Sequence, residues 1–259
     1  MSVLALRSLS KAFGGVRAVN EVSFDVAAGE FLAMIGPNGA GKSTSFNMIN
    51  GQLAPDSGAI LLQGRDIAGL APRAVWRLGV GRTFQVAATF GSMTVAENVQ
   101  MALISHAGEI YGLWRPAASL RRARALDLLA QVGMRDAADR PCRELAYGDV
   151  KRVELAIALA NQPRLLLMDE PTAGMGARER HALIELVKRL VVENGISVLF
   201  TEHSMDVVFA FADRIVVLAR GRLIADGDAA SIRDHPQVRE VYFGAGKTFA
   251  ASPAQGPAP

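Results

Sequence analysis

The chain has 259 residues, of which 50% are hydrophobic and 20% charged, a composition typical of a soluble globular protein with a sizeable core. Its formal net charge is only +3, and no dense basic run with interleaved aromatic residues occurs, which argues against a nucleic-acid-binding surface. Cys142 is the single cysteine, so an internal disulfide is excluded and a reducing compartment is favoured.

The chain carries no sign of a secretory or membrane-spanning segment. The N-terminal stretch MSVLALRSLSKAF lacks the basic and then long apolar regions of a signal peptide. Apolar runs such as VELAIALA are too short to cross a bilayer, so we expect any membrane role to be peripheral. Residues 245–259 are small, polar and rich in proline, and we expect this tail to be disordered.

The predicted elements begin with antiparallel strands. Residues 1–30 alternate apolar and polar positions between Gly-Gly and Ala-Gly pairs, which predicts strands and turns. FLAMIG predicts a short buried strand that runs directly into a glycine-rich loop and a helix. PDSGAILLQGRDI predicts a further turn and strand, and a mainly helical stretch follows from about Thr94 to Ala160.

The C-terminal part of the chain alternates strands with helices. RLLLMDE, SVLFTEH and IVVLAR predict strands, the stretches between them predict helices, and GRLIADG predicts a terminal strand. This alternation is typical of a parallel sheet with helices on its faces. We therefore expect an α/β domain over residues 1–244, with an N-terminal antiparallel β subdomain and a helical insert at about residues 86–160.

The stretch GPNGAGKST at residues 36–44 fits the pattern G-x-x-x-x-G-K-[ST] between a predicted strand and a predicted helix. Glycines let successive backbone N–H groups turn toward a phosphate, and the helix that follows adds its positive end. Lys42 is a point charge for the β- and γ-phosphates, and Ser43 offers a hydroxyl to Mg²⁺. The context favours a P-loop ATPase core, with phosphate-binding residues Gly36, Pro37, Asn38, Gly39, Ala40, Gly41, Lys42, Ser43 and Thr44.

Two adjacent carboxylates, Asp169 and Glu170, end the predicted strand LLLMDE. Ligands bind at the carboxyl ends of the strands in such sheets. Asp169 suits the Mg²⁺ shell beside Ser43, and Glu170 suits a general base that polarises an attacking water. Taken alone, the two acids could equally well be structural residues that end the strand before Pro171.

His203 and Gln85 are weaker candidates. A lone histidine is more often structural than catalytic, but His203 ends the next predicted strand, in a position equivalent to that of Glu170. Gln85, in GVGRTFQ, has an amide that can both donate and accept, so it can sense Mg²⁺ and water.

In this order, the motifs resemble those of the ATPase subunit of an ABC transporter, over nearly the whole chain. GPNGAGKST resembles Walker A, Gln85 the Q-loop, LAYGD the signature, LLLMDEP Walker B, AGMG the D-loop, and His203 the switch histidine. The stretches KAFGGVRAVN, GVGRTFQ and MTVAENV resemble the subgroup that serves branched-chain amino acid importers, which also handles amides, urea and some aromatic acids.

The resemblance implies ATP and Mg²⁺ as ligands and gives each motif a role. Phe13 matches the aromatic residue that stacks on adenine, although a core phenylalanine is nearly as good an interpretation. Ser43, Gln85 and Asp169 match the Mg²⁺ contacts, and the catalytic group comprises Lys42, Gln85, Glu170 and His203. Leu145, Ala146, Tyr147, Gly148 and Asp149 match the signature, which acts on the ATP of the opposite subunit.

The resemblance also implies an assembly at the cytoplasmic face of the cell (inner) membrane. Its parts are a head-to-tail dimer with a second ATPase subunit, identical or different, two transmembrane permease subunits and an extracytoplasmic substrate-binding protein. The insert from Val86 to about Pro141 would face the permeases, with VAATFGSM and YGLWRP supplying apolar residues to that surface or to the subdomain core.

Several residues depart from the family pattern. The usual signature is Leu-Ser-Gly-Gly-Gln, whereas Ala146, Tyr147 and Asp149 stand at its second, third and fifth positions. A hydroxyl bonding a charged phosphate is worth roughly 1.5–3 kcal/mol, but backbone N–H groups near Gly148 are unaffected. We expect Asp149 to cap its own helix and point away from the phosphate. Gly176 stands where the D-loop usually has Asp or Asn.

The departures affect elements that act across the dimer, whereas the residues serving this chain's own ATP are intact. We therefore expect a different ATPase subunit as the partner and a weaker site where this chain's signature is used. The alternatives are an ABC ATPase with another substrate or an export role, and a soluble ABC ATPase, although these usually carry two cassettes or a coiled-coil insert. A different P-loop enzyme, such as a kinase, leaves Gln85, the signature and His203 unexplained.

Overall fold

A computed structural model describes residues 2–84, 88–109 and 120–243. Gln85, the whole of the stretch YGLWRP and the tail at 245–259 lie outside these ranges. The strands are β1 (Ser2–Phe13), β2 (Val16–Ala27), β3 (Phe31–Ile35), β4 (Ser57–Leu62), β5 (Arg65–Asp66), β6 (Val80–Thr83), β7 (Leu165–Asp169), β8 (Ser197–Thr201), β9 (Arg214–Ala219) and β10 (Arg222–Gly227). The α-helices are α1 (Lys42–Ile49), α2 (Pro72–Arg77), α3 (Val95–Ala107), α4 (Arg122–Gln131), α5 (Tyr147–Ala158), α6 (Ala177–Asn194), α7 (Met205–Phe211), α8 (Ala229–Asp234) and α9 (Pro236–Phe243).

The described strands form two sheets. The first has the order β2-β1-β4-β5 and is antiparallel, as the alternation in residues 1–30 predicts. The second has the order β10-β9-β3-β8-β7-β6. Its strands β9, β3, β8, β7 and β6 are parallel, and only the edge strand β10 is antiparallel. The predicted α/β fold class is confirmed.

The parallel sheet separates two hydrophobic cores. Along β3, Leu32 and Met34 face a core shared with the antiparallel sheet and α1, whereas Phe31, Ala33 and Ile35 face the core formed with the helices. All five residues of β3 are buried, which is expected for a central parallel strand covered on both faces. Because β3, β8 and β7 are parallel neighbours, their carboxyl ends lie at the same edge of the sheet.

Among the described residues between β6 and β7, the α-helices α3, α4 and α5 lie within the predicted helical insert. A capping box starts α3: the Thr94 hydroxyl accepts from the Glu97 N–H at 3.2 Å, and a Glu97 carboxylate oxygen accepts from the Thr94 N–H at 2.8 Å. The domain boundaries at 1–244 and 86–160 remain predictions.

The sequence patterns missed β6, α2, α8 and α9. β6 has only four residues, and its polar Arg82 and Thr83 hide the buried positions. The prediction that Asp149 caps α5 is wrong. Ala146 is the N-cap residue, no side-chain oxygen caps it among the described residues, and Asp149 lies in the first turn. In that position the negative charge of Asp149 still interacts favourably with the positive end of the helix dipole of α5.

Candidate active site

The phosphate loop connects β3 to α1 and is held closely by neighbouring backbone. A Cβ on Gly36 would lie 2.2 Å from the Leu218 carbonyl oxygen, and one on Gly41 would lie 2.4 Å from that of Ala18. Gly41 has φ 103°, which disfavours any residue with a side chain. The loop conformation therefore requires glycine at both positions.

Lys42 lies inside the loop. Its Nζ donates to the carbonyl oxygens of Gly36 at 2.6 Å and Pro37 at 3.2 Å, and the residue is 7% exposed. Burial lowers the pKa of Lys42, whereas the carboxylates of Glu170 and Asp169 raise it. Asp169 at the end of β7, Glu170 directly after it and Lys42 of the phosphate loop are thus close enough for their charges to influence one another.

Asp169 is fixed by two neighbours. The Thr201 hydroxyl donates to its Oδ1 at 2.8 Å, and a guanidinium nitrogen of Arg82 lies 3.5 Å from its Oδ2. Arg82 itself donates to the side chains of Asn47 and Gln52, and burial lowers its pKa although Asp169 opposes the shift. Arg82 on β6 and Thr201 on β8, the two strands that flank β7, thus hold the Asp169 carboxylate from both sides.

Glu170 and His203 form a pair. The distance from Glu170 Oε1 to His203 Nε2 is 2.8 Å, and the side chains are 20% and 50% exposed. Glu170 has φ 46°, a left-handed conformation that is uncommon for a residue with a side chain and is typical of functional sites. Its N–H donates to the carbonyl and hydroxyl oxygens of Thr201, which stabilises this turn.

The segments after β7 and β8 are tied together by a buried acid. Glu202 Oε1 accepts from the Thr172 N–H at 3.0 Å and from its hydroxyl at 2.6 Å. Glu202 Oε2 accepts from the His203 N–H at 3.2 Å. Glu202 therefore fixes the loop that carries Glu170 relative to the loop that carries His203.

Phe13 ends β1 and is 51% exposed, so the interpretation as a core phenylalanine is wrong. It pairs with Val16 across the β1–β2 turn, and Ala18 of the same hairpin contacts Gly41 of the phosphate loop. The hairpin that carries Phe13 thus contacts the phosphate loop through Ala18. Stacking on adenine remains a prediction.

The predicted signature residues form the turn that begins α5. Leu145 packs against the helical core, whereas Ala146 and Tyr147 are exposed. The Tyr147 ring lies 3.8 Å from a Cβ built on Gly174, and Met175 lies 3.5 Å from one built on Gly148. The signature turn and the AGMG segment are therefore neighbours on one surface.

The oxygen donors at the site suit Mg²⁺, which binds few protein groups besides phosphates and water. Ser43 is exposed in the first turn of α1, and Asp169 offers a carboxylate oriented by Arg82 and Thr201. The third predicted contact, Gln85, lies outside the described residues. The Mg²⁺ ligands remain predictions.

Sequence reasoning missed Arg82, Thr201, Glu202 and Tyr242. The Tyr242 hydroxyl hydrogen-bonds the backbone of Gly36, and burial raises the pKa of this phenol. Arg82 lies in GVGRTFQ, and Thr201 and Glu202 directly precede His203, but only the tertiary contacts identify what these side chains and Tyr242 do. In the described part of the chain, none of the helices combines the length and apolar character needed to cross a membrane.

Comparisons with known proteins give the family. A family model described as ABC transporter matches residues 19–173, and one described as branched-chain amino acid ATP-binding cassette transporter matches residues 222–248. The high-affinity branched-chain amino acid transport ATP-binding protein BraF of Pseudomonas aeruginosa is 39% identical over 249 residues, covering 93% of this chain and 98% of its own.

Solved structures agree with these matches. The ADP conformation of an ATP-binding cassette of an ABC transporter superposes with a TM-score of 0.85 at 32% identity, covering 94% of this chain and 99% of that one. A dimeric post-hydrolysis cassette bound to ADP and Pi gives a TM-score of 0.74 at 27% identity, covering 87% and 98%. Because a family model matches more than half of its length and a relative of this identity spans nearly all of it, the chain belongs to the ABC transporter family, as an ATP-binding cassette.

Proposed function

We propose that this chain is the ATP-hydrolysing subunit of an ABC importer for branched-chain amino acids or related amides and small organic acids. The observation that carries the hydrolytic role is the Glu170–His203 pair at 2.8 Å, beside Lys42 of the phosphate loop. Similarity to a branched-chain amino acid transport protein over almost the whole chain supports the substrate class. The C-terminal match at residues 222–248 favours this subgroup over an exporter.

The phosphate loop binds the triphosphate through backbone N–H groups and the start of α1. Lys42 exchanges its hydrogen bonds to the Gly36 and Pro37 carbonyls for the β- and γ-phosphates, which carry full negative charge. Phe13 stacks on adenine at the rim of the site.

Glu170 accepts a proton from the water that attacks the γ-phosphorus, and His203 orients the water and the γ-phosphate. The bond from the γ-phosphorus to the β–γ bridging oxygen breaks, and ADP and phosphate are the products. The 2.8 Å contact with His203 orients the Glu170 carboxylate. Ser43, Gln85 and Asp169 would hold Mg²⁺, which supplies charge neutralisation on the phosphates when bound.

The signature turn serves the ATP of a second ATPase subunit in a head-to-tail dimer. Exposure of Ala146 and Tyr147, and the proximity of Tyr147 and Gly148 to the AGMG segment, support a role at a subunit interface. Two permease subunits and an extracytoplasmic substrate-binding protein complete the importer, with this chain at the cytoplasmic face of the inner membrane.

Replacing Glu170 by Gln tests the hydrolytic role. We expect kcat for ATP to fall by about 10²–10⁴, because the general base is lost, while ATP binding is retained. Turnover by the purified transporter complex and binding of labelled ATP measure the two effects. Glu193→Gln, at an exposed position of α6, is the matched control and should leave turnover unchanged. Normal turnover of Glu170→Gln would refute the assigned base.

Uptake of labelled leucine tests the substrate class. A strain that lacks this chain should lose leucine uptake, and the wild-type chain should restore it while Glu170→Gln should not. Unchanged uptake in a strain without a redundant importer would remove branched-chain amino acids and leave amides, urea or aromatic acids to be tested in the same way.

A further inference from the structure

Both backbone polar groups of Phe84 are bound by side chains of α5. The Phe84 N–H donates to Glu154 Oε1 at 2.7 Å, and Lys151 Nζ donates to the Phe84 carbonyl oxygen at 2.6 Å. Lys151 Nζ also lies 3.1 Å from Glu154 Oε2. The three residues form a closed set of charge-assisted hydrogen bonds, which we call the Phe84 clamp.

The charged members of the Phe84 clamp are deeply buried. Lys151 and Glu154 are 4% and 3% exposed, and they lie one turn apart on α5. An apolar pair of similar volume would avoid the cost of burying two charges, which offsets much of their mutual attraction. What an apolar pair cannot do is match a donor to the Phe84 carbonyl and an acceptor to its N–H.

The Phe84 clamp joins two parts of the chain with different predicted roles. Phe84 directly follows β6, and the next residue is Gln85, which is assigned to this chain's own ATP. α5 begins at the signature turn, which is assigned to the ATP of the opposite subunit. Along the helix axis, Tyr147 and Glu154 are about 10 Å apart at 1.5 Å per residue.

We propose that Lys151 and Glu154 are positioning residues that link the signature turn of this chain to the segment entering Gln85, and so couple the two ATP sites of the dimer. A helix is stiff over this length, so a shift of α5 carries the Phe84 peptide groups with it. The proposal rests on the roles assigned above to Gln85 and to the signature.

A charge swap, Lys151→Glu with Glu154→Lys, separates this role from simple packing. The swapped pair keeps an ion pair on α5 but sets a donor against the Phe84 N–H and an acceptor against its carbonyl. We expect kcat of the purified transporter complex to fall at least about fivefold, with KM for ATP changed less than about threefold, because the phosphate loop is untouched. Titration with ATP gives the amount of ATP bound per chain, and turnover is divided by this amount so that only folded protein is counted.

A second variant, Lys151→Met with Glu154→Met, removes both buried charges and guards against misfolding of the swap. It should show the same fall in kcat, whereas Lys151→Arg, which keeps the donor and its charge, should retain turnover within about twofold. Glu30→Gln breaks the ion pair with Arg214, which is remote from Phe84, and is the matched control for a general loss of stability.

A fall in kcat smaller than about fivefold, in either folded double variant with normal ATP stoichiometry, overturns the proposal. So does an equal fall in the Glu30→Gln control. The wild-type chain and Glu170→Gln are measured alongside: if Glu170→Gln keeps full turnover, the assigned hydrolytic role fails, whereas if it is inactive and the swap is fully active, only the Phe84 clamp fails.

Discussion

Thr201 orients both acidic residues of the site with one hydroxyl group. Its Oγ1 donates to Asp169 Oδ1 at 2.8 Å and accepts from the Glu170 N–H at 3.1 Å. The residue is fully buried at the end of β8, in register with Asp169 on β7. In the sequence Thr201 is only one more β-branched residue of a strand, and the neighbouring strand gives it this role.

We expect Thr201→Val to lower the free energy of unfolding by roughly 1–3 kcal/mol, because it leaves a buried N–H and a carboxylate oxygen without this partner. It should also lower kcat for ATP, since Asp169 and Glu170 lose a common support. Urea denaturation and turnover measure these effects. Thr201→Ser keeps the hydroxyl and should recover most of both; equal behaviour of the Val and Ser variants would contradict this role.

At the scale of elements, the start of α3 could be predicted from the sequence because it depends on residues close together in the chain. T-x-x-E in MTVAENV forms a capping box in which each residue bonds the backbone of the other. The C-terminal strands and helices from β7 to β10 were likewise predicted, because their apolar runs are long and separated by turn residues. β6 was not, because four residues with an inward-facing arginine carry no strand pattern.

Thr94→Ala should destabilise the chain by about 1 kcal/mol, because the N–H of Glu97 loses its acceptor at the first turn of α3. The free energy of unfolding from urea titration followed by circular dichroism measures the loss. Thr94→Asp retains a capping oxygen and should remain within a few tenths of a kcal/mol of wild type. A wild-type stability for Thr94→Ala would mean that packing alone holds this end of α3.

At the scale of the whole molecule, the chain divides its chemistry between two surfaces. Lys42, Asp169, Glu170 and His203 come together at one edge of the parallel sheet, whereas the signature turn lies on α5 beside the AGMG segment. In the predicted dimer with a different ATPase subunit, we expect the divergent residues Ala146, Asp149 and Gly176 to weaken the site that holds the partner's ATP.

Replacing Glu170 by Gln in this chain should therefore cost the transporter more turnover than the equivalent substitution in the partner ATPase. Steady-state ATP hydrolysis by the two singly substituted complexes, purified in parallel, makes the comparison. Equal loss from both would contradict the asymmetry, and a partner identical to this chain would remove its basis.

The sequence by itself determined the family, the α/β class and the phosphate loop, because glycine spacing and strand-helix alternation act over short stretches of chain. It also marked Asp169, Glu170 and His203 as strand-end residues, but it could not tell a functional end from a structural one. Only the tertiary structure decided that these groups meet Lys42, that Arg82 and Thr201 support them, and that Lys151 and Glu154 bind Phe84. Such contacts join residues tens of positions apart, and their energy depends on burial and direction, which no local pattern encodes.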